Sequence, residues 1–104
     1  MPNVTLAIDD AVDIHREEKF RGVTVLMVRL LSGAMKQGDL LEIPIDGVPE
    51  QHTIVAFESF ALWRSHPPAA IDDSIGPVPF GLAVASRQPL AARIPRGELS
   101  CAVV

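Results

Sequence analysis

Hydrophobic and polar positions along this chain recur with a period of two, or gather in short apolar runs, and almost nowhere at helical spacing. Val4, Leu6 and Ile8 alternate with Thr5 and Ala7, the pattern of a strand with one buried face. Residues 20–31 (FRGVTVLMVRLL) are rich in β-branched side chains and apolar on both faces, which predicts a central strand long enough to bend. Residues 32–39 (SGAMKQGD) hold two glycines five apart and turn the chain. Residues 40–45 (LLEIPI) follow as a strand whose Pro44 argues for an edge or a bulge. Asp46-Gly47 is a hairpin-turn signal. In residues 51–60 (QHTIVAFESF) alternation puts His52, Ile54, Ala56, Glu58 and Phe60 on one face, and Thr53, Val55 and Phe57 on a second face expected to be core.

The pattern is lost over residues 61–75 (ALWRSHPPAAIDDSI), where Pro67-Pro68 argues against regular structure. A long irregular stretch of this kind is more often functional than accidental. Residues 81–86 resume as a strand, residues 87–96 form a basic connection with two prolines, and residues 98–104 close the chain as a last strand. Six or so short strands without helices define an all-β fold, a small closed or partly open antiparallel β-barrel. No internal repeat or linker divides residues 1–104, so a single domain is expected.

Composition sharpens this. The 104 residues are 48% hydrophobic, and the seven glycines lift that share to about 55%, above the usual 45–50%. A domain of this size buries only about 60–70% of its unfolded surface. Some apolar area should therefore face a partner, or a second copy of the chain. The longest apolar runs, such as residues 25–28 and 54–57, are far short of the roughly 20 residues of a membrane helix. Residues 1–10 have no basic leader segment, and a single cysteine, Cys101, permits no internal disulfide, so the reading is cytoplasmic. The ending Cys101-Ala102-Val103-Val104 has the outline of a prenylation box, but no polybasic stretch precedes it and a terminal strand is the better reading.

The order of turns and strands is similar to that of a known family. Residues 33–43 have the form Gly-x-x-Lys-x-Gly-(Asp/Glu)-x-x-x-Ile and resemble the central hairpin of the second, β-barrel domain of elongation factor Tu and related translational GTPases. Residues 6–12 (LAIDDAV), 55–60 (VAFESF) and 94–99 (IPRGEL) resemble further segments of that domain in the same order, so the likeness spans residues 6–101. It implies a translation-factor barrel. One difference is Val28, which stands where the family has a glycine in its second strand. There is no Gly-x-x-x-x-Gly-Lys-(Ser/Thr) phosphate loop, hence no nucleotide cofactor and no GTPase activity is expected. In the family this domain helps hold the aminoacyl end of a tRNA. The resemblance carries that role onto Glu58, while Ala61 replaces the arginine and residues 76–81 lack the asparagine that accompany it.

Other candidate chemistry is sparse. His15, His52 and His66 lack metal-ligand spacing, and Asp9, Asp10, Asp13, Glu17 and Glu18 lack that of a calcium loop and are expected to solvate a loop. Ser59, Ser65 and His66 lie close in sequence without a nucleophile elbow, and Cys101 reads as a buried strand cysteine. Arg87, Arg93 and Arg96 read as a local salt-bridged loop, because the net charge of -4, the absence of Tyr and the single Trp do not suit a nucleic-acid binder. Trp63, in an exposed-looking segment beside Phe60 and Arg64, is either an interface anchor or a lid over the barrel's end. The expected function is therefore a non-enzymatic binding module without cofactor or metal. It would dock a protein through Glu58, Phe60, Leu62, Trp63, Arg64 and the Pro67-Pro68 loop. An RNA or tRNA-end binder, and an acidic inhibitor or immunity-type protein, are the alternatives.

Overall fold

The alternation seen at residues 4–8 extends further than expected. In the computed structural model of the protein, which describes residues 3–14, 22–63 and 66–104, strand β1 runs Asn3–Ile14. It is followed by β2 (Val23–Ser32), β3 (Ala34–Lys36), β4 (Leu40–Ile45), β5 (Val48–Glu58), a helical turn α1 (Phe60–Trp63), β6 (Ala70–Asp72), β7 (Pro79–Ala85) and β8 (Gly97–Val103). The readings placed on His15, Glu17, Glu18, Arg64 and Ser65, and on the start of the second strand at Phe20 and Arg21, lie outside the described residues.

Six of the strands close into an antiparallel barrel in the order β1-β2-β7-β5-β4-β8, and β8 pairs back onto β1. This is the small barrel the alternation predicts. Its thinnest joint is β4 against β8, where only Leu41↔Val103 and Glu42↔Ala102 pair. Inward positions such as Leu6, Leu26, Ile43, Phe57, Phe80 and Leu82 are buried and fill the interior. Val28 is one of these, fully buried in the core. No helix among the described residues is long and apolar enough to cross a membrane.

Turn chemistry explains the connections. Asp46 (φ 53°) and Gly47 (φ 79°) make the two-residue hairpin between β4 and β5. Pro44 pairs with Pro49 one step beyond the turn-closing pair, a position where an antiparallel ladder exchanges no hydrogen bonds between the partners. Both prolines are tolerated there. In the turn from β3 to β4, Gly38 takes φ 93° and the Asp39 carboxylate accepts the Lys36 N–H at 3.0 Å. Gly33 has φ 103°, and a Cβ on it would lie 2.7 Å from the Asn3 carbonyl oxygen, so no other residue fits.

Three expectations are corrected. Asp9, Asp10 and Asp13 belong to β1 and not to a solvated loop; Asp9 is the extra residue of a bulge between Ile8 and Asp10, and Asp13 faces inward opposite Thr24. In β5 the assigned faces hold for only part of the strand. A bulge at Val55, between Ile54↔Val84 and Ala56↔Ala83, reverses the alternation. Ile54 and Phe57 are consequently buried, while Thr53 and Val55 are exposed. A single inserted residue shifts every later side chain to the opposite face. Thirdly, residues 61–75 are not without structure: α1 continues to Trp63, β6 pairs with β3 (Met35↔Ile71), and a 3₁₀ turn spans Asp73–Ile75. The pairing of β3 with β6 is non-local and leaves no periodic trace over three residues.

Candidate binding surfaces

Glu58 ends β5, exposed and opposite Gly81. Immediately after it, the Ser59 hydroxyl accepts the Leu62 N–H at 3.1 Å and its carbonyl accepts the Trp63 N–H at 3.0 Å, so the serine caps one helical turn. That turn folds the chain back over the barrel's end. Trp63 lies half-buried, edge-on to Phe80 at 5.8 Å between ring centres, and Phe80 in turn meets Phe57 at 6.3 Å. Trp63 is thus packed as a lid, and it forms one wall of an apolar groove of about 830 Å³ with Met35, Pro68, Ile71, Ile75 and Val103. Leu62 beside it is 38% exposed. Phe60 contributes its backbone to the turn, and its side chain, like Arg64, lies outside what is described.

At the opposite end the inward positions are polar. The Thr24 hydroxyl donates to the Asp13 carboxylate at 2.7 Å, which leaves the Thr24 oxygen to accept from the Ser86 hydroxyl at 2.9 Å. The same carboxylate oxygen accepts the N–H groups of Leu90 (2.8 Å) and Ala91 (3.0 Å) and caps the 3₁₀ turn Ala91–Arg93. His52 donates from Nδ1 to the Ala85 carbonyl at 2.8 Å and faces Glu50 with Nε2 at 3.2 Å. Glu50 also accepts from Arg93 at 2.6 Å, and this hydrogen bond holds its carboxyl below the ordinary value. Asp13, Thr24, Ser86, Glu50 and His52 thus each have a partner, and both His52 ring nitrogens are engaged. The arrangement closes the barrel. Burial pushes the Cys101 thiol up to about 11, which keeps it protonated at neutral pH. Among the described residues no three metal-ligating side chains converge.

The third surface is the outside of β1, β2, β7 and β5. Directly opposed residues share a face, so the registers define rows across the wall. Val12, Val25, Ala83 and Ala56 form one row, and Ile14, Val23 and Ala85 form the next. A third runs Asp10, Met27, Gly81, Glu58. As far as these pairings run, the first two rows carry no charge or polar side chain, and exposed Thr53 of β5 lies beyond the end of the second. Val12 is 52% exposed, and Ile14, Met27 and the bulged Val55 also stand in solvent. Sequence reasoning missed this surface although its signal was present. A strand apolar on both faces reads as central in an open sheet, whereas in a six-stranded ring one face of every strand points outward.

Of the residues singled out from sequence, the fold brings Glu58, Leu62 and Trp63 to one end of the barrel. His52 lies at the other end, and exposed His66 follows the Trp63 turn. Comparisons of the chain with protein families, with curated proteins and with solved structures find no match. The surfaces themselves therefore carry the functional reading.

Proposed function

We propose that this chain is a non-enzymatic binding module, with a barrel resembling the second domain of translational GTPases, that docks a protein partner on the outer wall of β1, β2, β7 and β5. The observation that carries the reading is the pair of uncharged rows through Val25 and Val23. A solvated wall of an antiparallel barrel alternates apolar-in with polar-out, and two adjoining rows without a polar side chain mark a surface that is covered in use. The third row supplies orientation, because Asp10 and Glu58 stand at its two ends. Asp10 is already reached by Arg96, so Glu58 is the end that opposes an RNA phosphate backbone and favours a protein whose apolar patch is bordered by Lys or Arg. Glu58 joins this wall to the helical turn that carries Leu62 and Trp63.

Affinity capture from native extract, with and without ribonuclease, tests the reading. The expected result is a protein recovered equally in both arms, lost with Val25→Asp and retained with Val48→Asp, a control at an exposed apolar residue of the distant hairpin. Recovery that depends on RNA favours the tRNA-end alternative. Recovery indifferent to Val25→Asp removes the outer wall as the docking surface.

A further inference from the structure

The polar end of the barrel opens into a cleft of about 740 Å³, lined by Gly22, residues 50–53, residues 85–88, Leu90 and Arg93. The three arginines of the basic connection divide sharply here. Arg93 is paired with Glu50, and Arg96 reaches Asp10 at 3.5 Å and the Ile94 carbonyl at 2.9 Å. Arg87 has no ion pair and no hydrogen bond among the described residues, and neither has its neighbour Gln88. The expected salt-bridged loop therefore leaves one arginine over, and that arginine is on the wall of a cavity.

Charge in the cleft is equally uneven. Among the described residues its one acid, Glu50, is engaged by both Arg93 and His52, and the guanidinium of Arg87 meets no acid. The chain as a whole carries -4, whereas the described lining of this cleft holds two arginines against one acid. A concave wall concentrates the field of such a charge, and the volume lies within the range of small-molecule sites. The lining also includes the neutral hydrogen-bonding side chains of Gln51, Thr53 and Gln88.

We propose that this cleft binds a small oxyanion-bearing molecule, its carboxylate or phosphate held by the fork of Arg87 and its neutral polar body lying along Gln88, Gln51 and Thr53. A guanidinium matches both head groups in two parallel hydrogen bonds, which is why the chemistry is common to both. The Glu50–Arg93 pair also lines the cleft. The cleft lies at the His52 end of the barrel, away from the Glu58 end, and the proposal stands independently of the docking wall.

Amide chemical shifts of the full chain, titrated with sodium phosphate and separately with sodium acetate at ionic strength held constant with chloride, test it. Saturable shifts confined to Gly22, residues 51–53 and residues 86–88 are expected for at least one anion, and the tighter of the two identifies the head group. Arg87→Gln should weaken that binding about tenfold or more, as loss of a charge-assisted hydrogen bond does, with Arg87→Lys intermediate and Lys36→Gln unchanged. Arg87 is exposed, so an otherwise unaltered spectrum verifies that the variant is folded. Shifts that fail to saturate, that scatter over the surface, or that persist in Arg87→Gln overturn the proposal, as does the absence of binding by both anions.

Discussion

The two ends of the barrel solve the same problem by opposite means. One is closed by packing: Trp63 folds over Phe80, and Phe80 meets Phe57 in the interior. The other is closed by hydrogen bonds, through the Ser86–Thr24–Asp13 chain and the Ala85–His52–Glu50–Arg93 chain. Both protect the core, but only the second leaves polar walls that can recognise a charged solute. The difference teaches where chemistry can reside in so small a fold. Apolar closure consumes its side chains in packing, whereas polar closure is finite in donors and acceptors and leaves a remainder, here Arg87 and Gln88 among the described residues.

Substitutions at each end sharpen that contrast. Phe80→Ala removes the centre of the packed end together with both edge-to-face contacts, and should lower unfolding stability by about 3–5 kcal/mol in urea denaturation. Trp63→Ala, at a half-buried position, should cost about 3 kcal/mol, the low end of that range. A cost near zero would show that the barrel is closed without the lid. At the polar end Thr24→Val is nearly isosteric but strands the Ser86 hydroxyl without its acceptor, an expected loss of about 1–3 kcal/mol. If a double variant Thr24→Val with Ser86→Ala recovers none of that loss, the hydrogen-bond chain is not what closes this end.

The smallest effect is pH-dependent. Arg93 holds the Glu50 carboxyl below its ordinary value near 4.5. A depressed carboxylate stabilises the folded state fully above its unfolded value, and that contribution is lost as pH falls through the folded value. Wild type should therefore lose stability more steeply than Arg93→Gln below about pH 4.5, in thermal melts taken across that range. Identical acid limbs would mean that the pair contributes nothing measurable, as many exposed ion pairs do.

Legibility of the sequence followed the range of the interactions. Asp46-Gly47, the turn at Gly38-Asp39 and the alternation at the start of β1 are written in neighbouring residues, and each formed where it was read. The bulge at Val55 was not legible, because nothing in QHTIVAFESF distinguishes an extra residue from a regular one. Its position follows from β7, which must meet Ile54 with Val84 and Phe57 with Leu82 to keep both apolar pairs inside. For the sites, Trp63 stood out as the single Trp, yet whether it anchors a partner or covers the core depends on Phe80, 17 residues away. Asp13 looked like one of several surface acids until β2 placed Thr24 opposite it.

Sequence alone determined that this chain forms short antiparallel strands, that its turns fall at particular glycines and aspartates, and that it carries more apolar surface than a small domain can bury. Those properties depend on backbone preference and on counts of side chains, which need no knowledge of neighbours. Tertiary structure alone decided where the excess goes. Closing the ring turned one apolar face of β2 outward beside Val12 and Ala83, and brought Glu50, His52, Arg87 and Arg93 from separate segments to one cleft. Inward and outward are properties of a closed wall, and no strand possesses them until its two neighbours are in place.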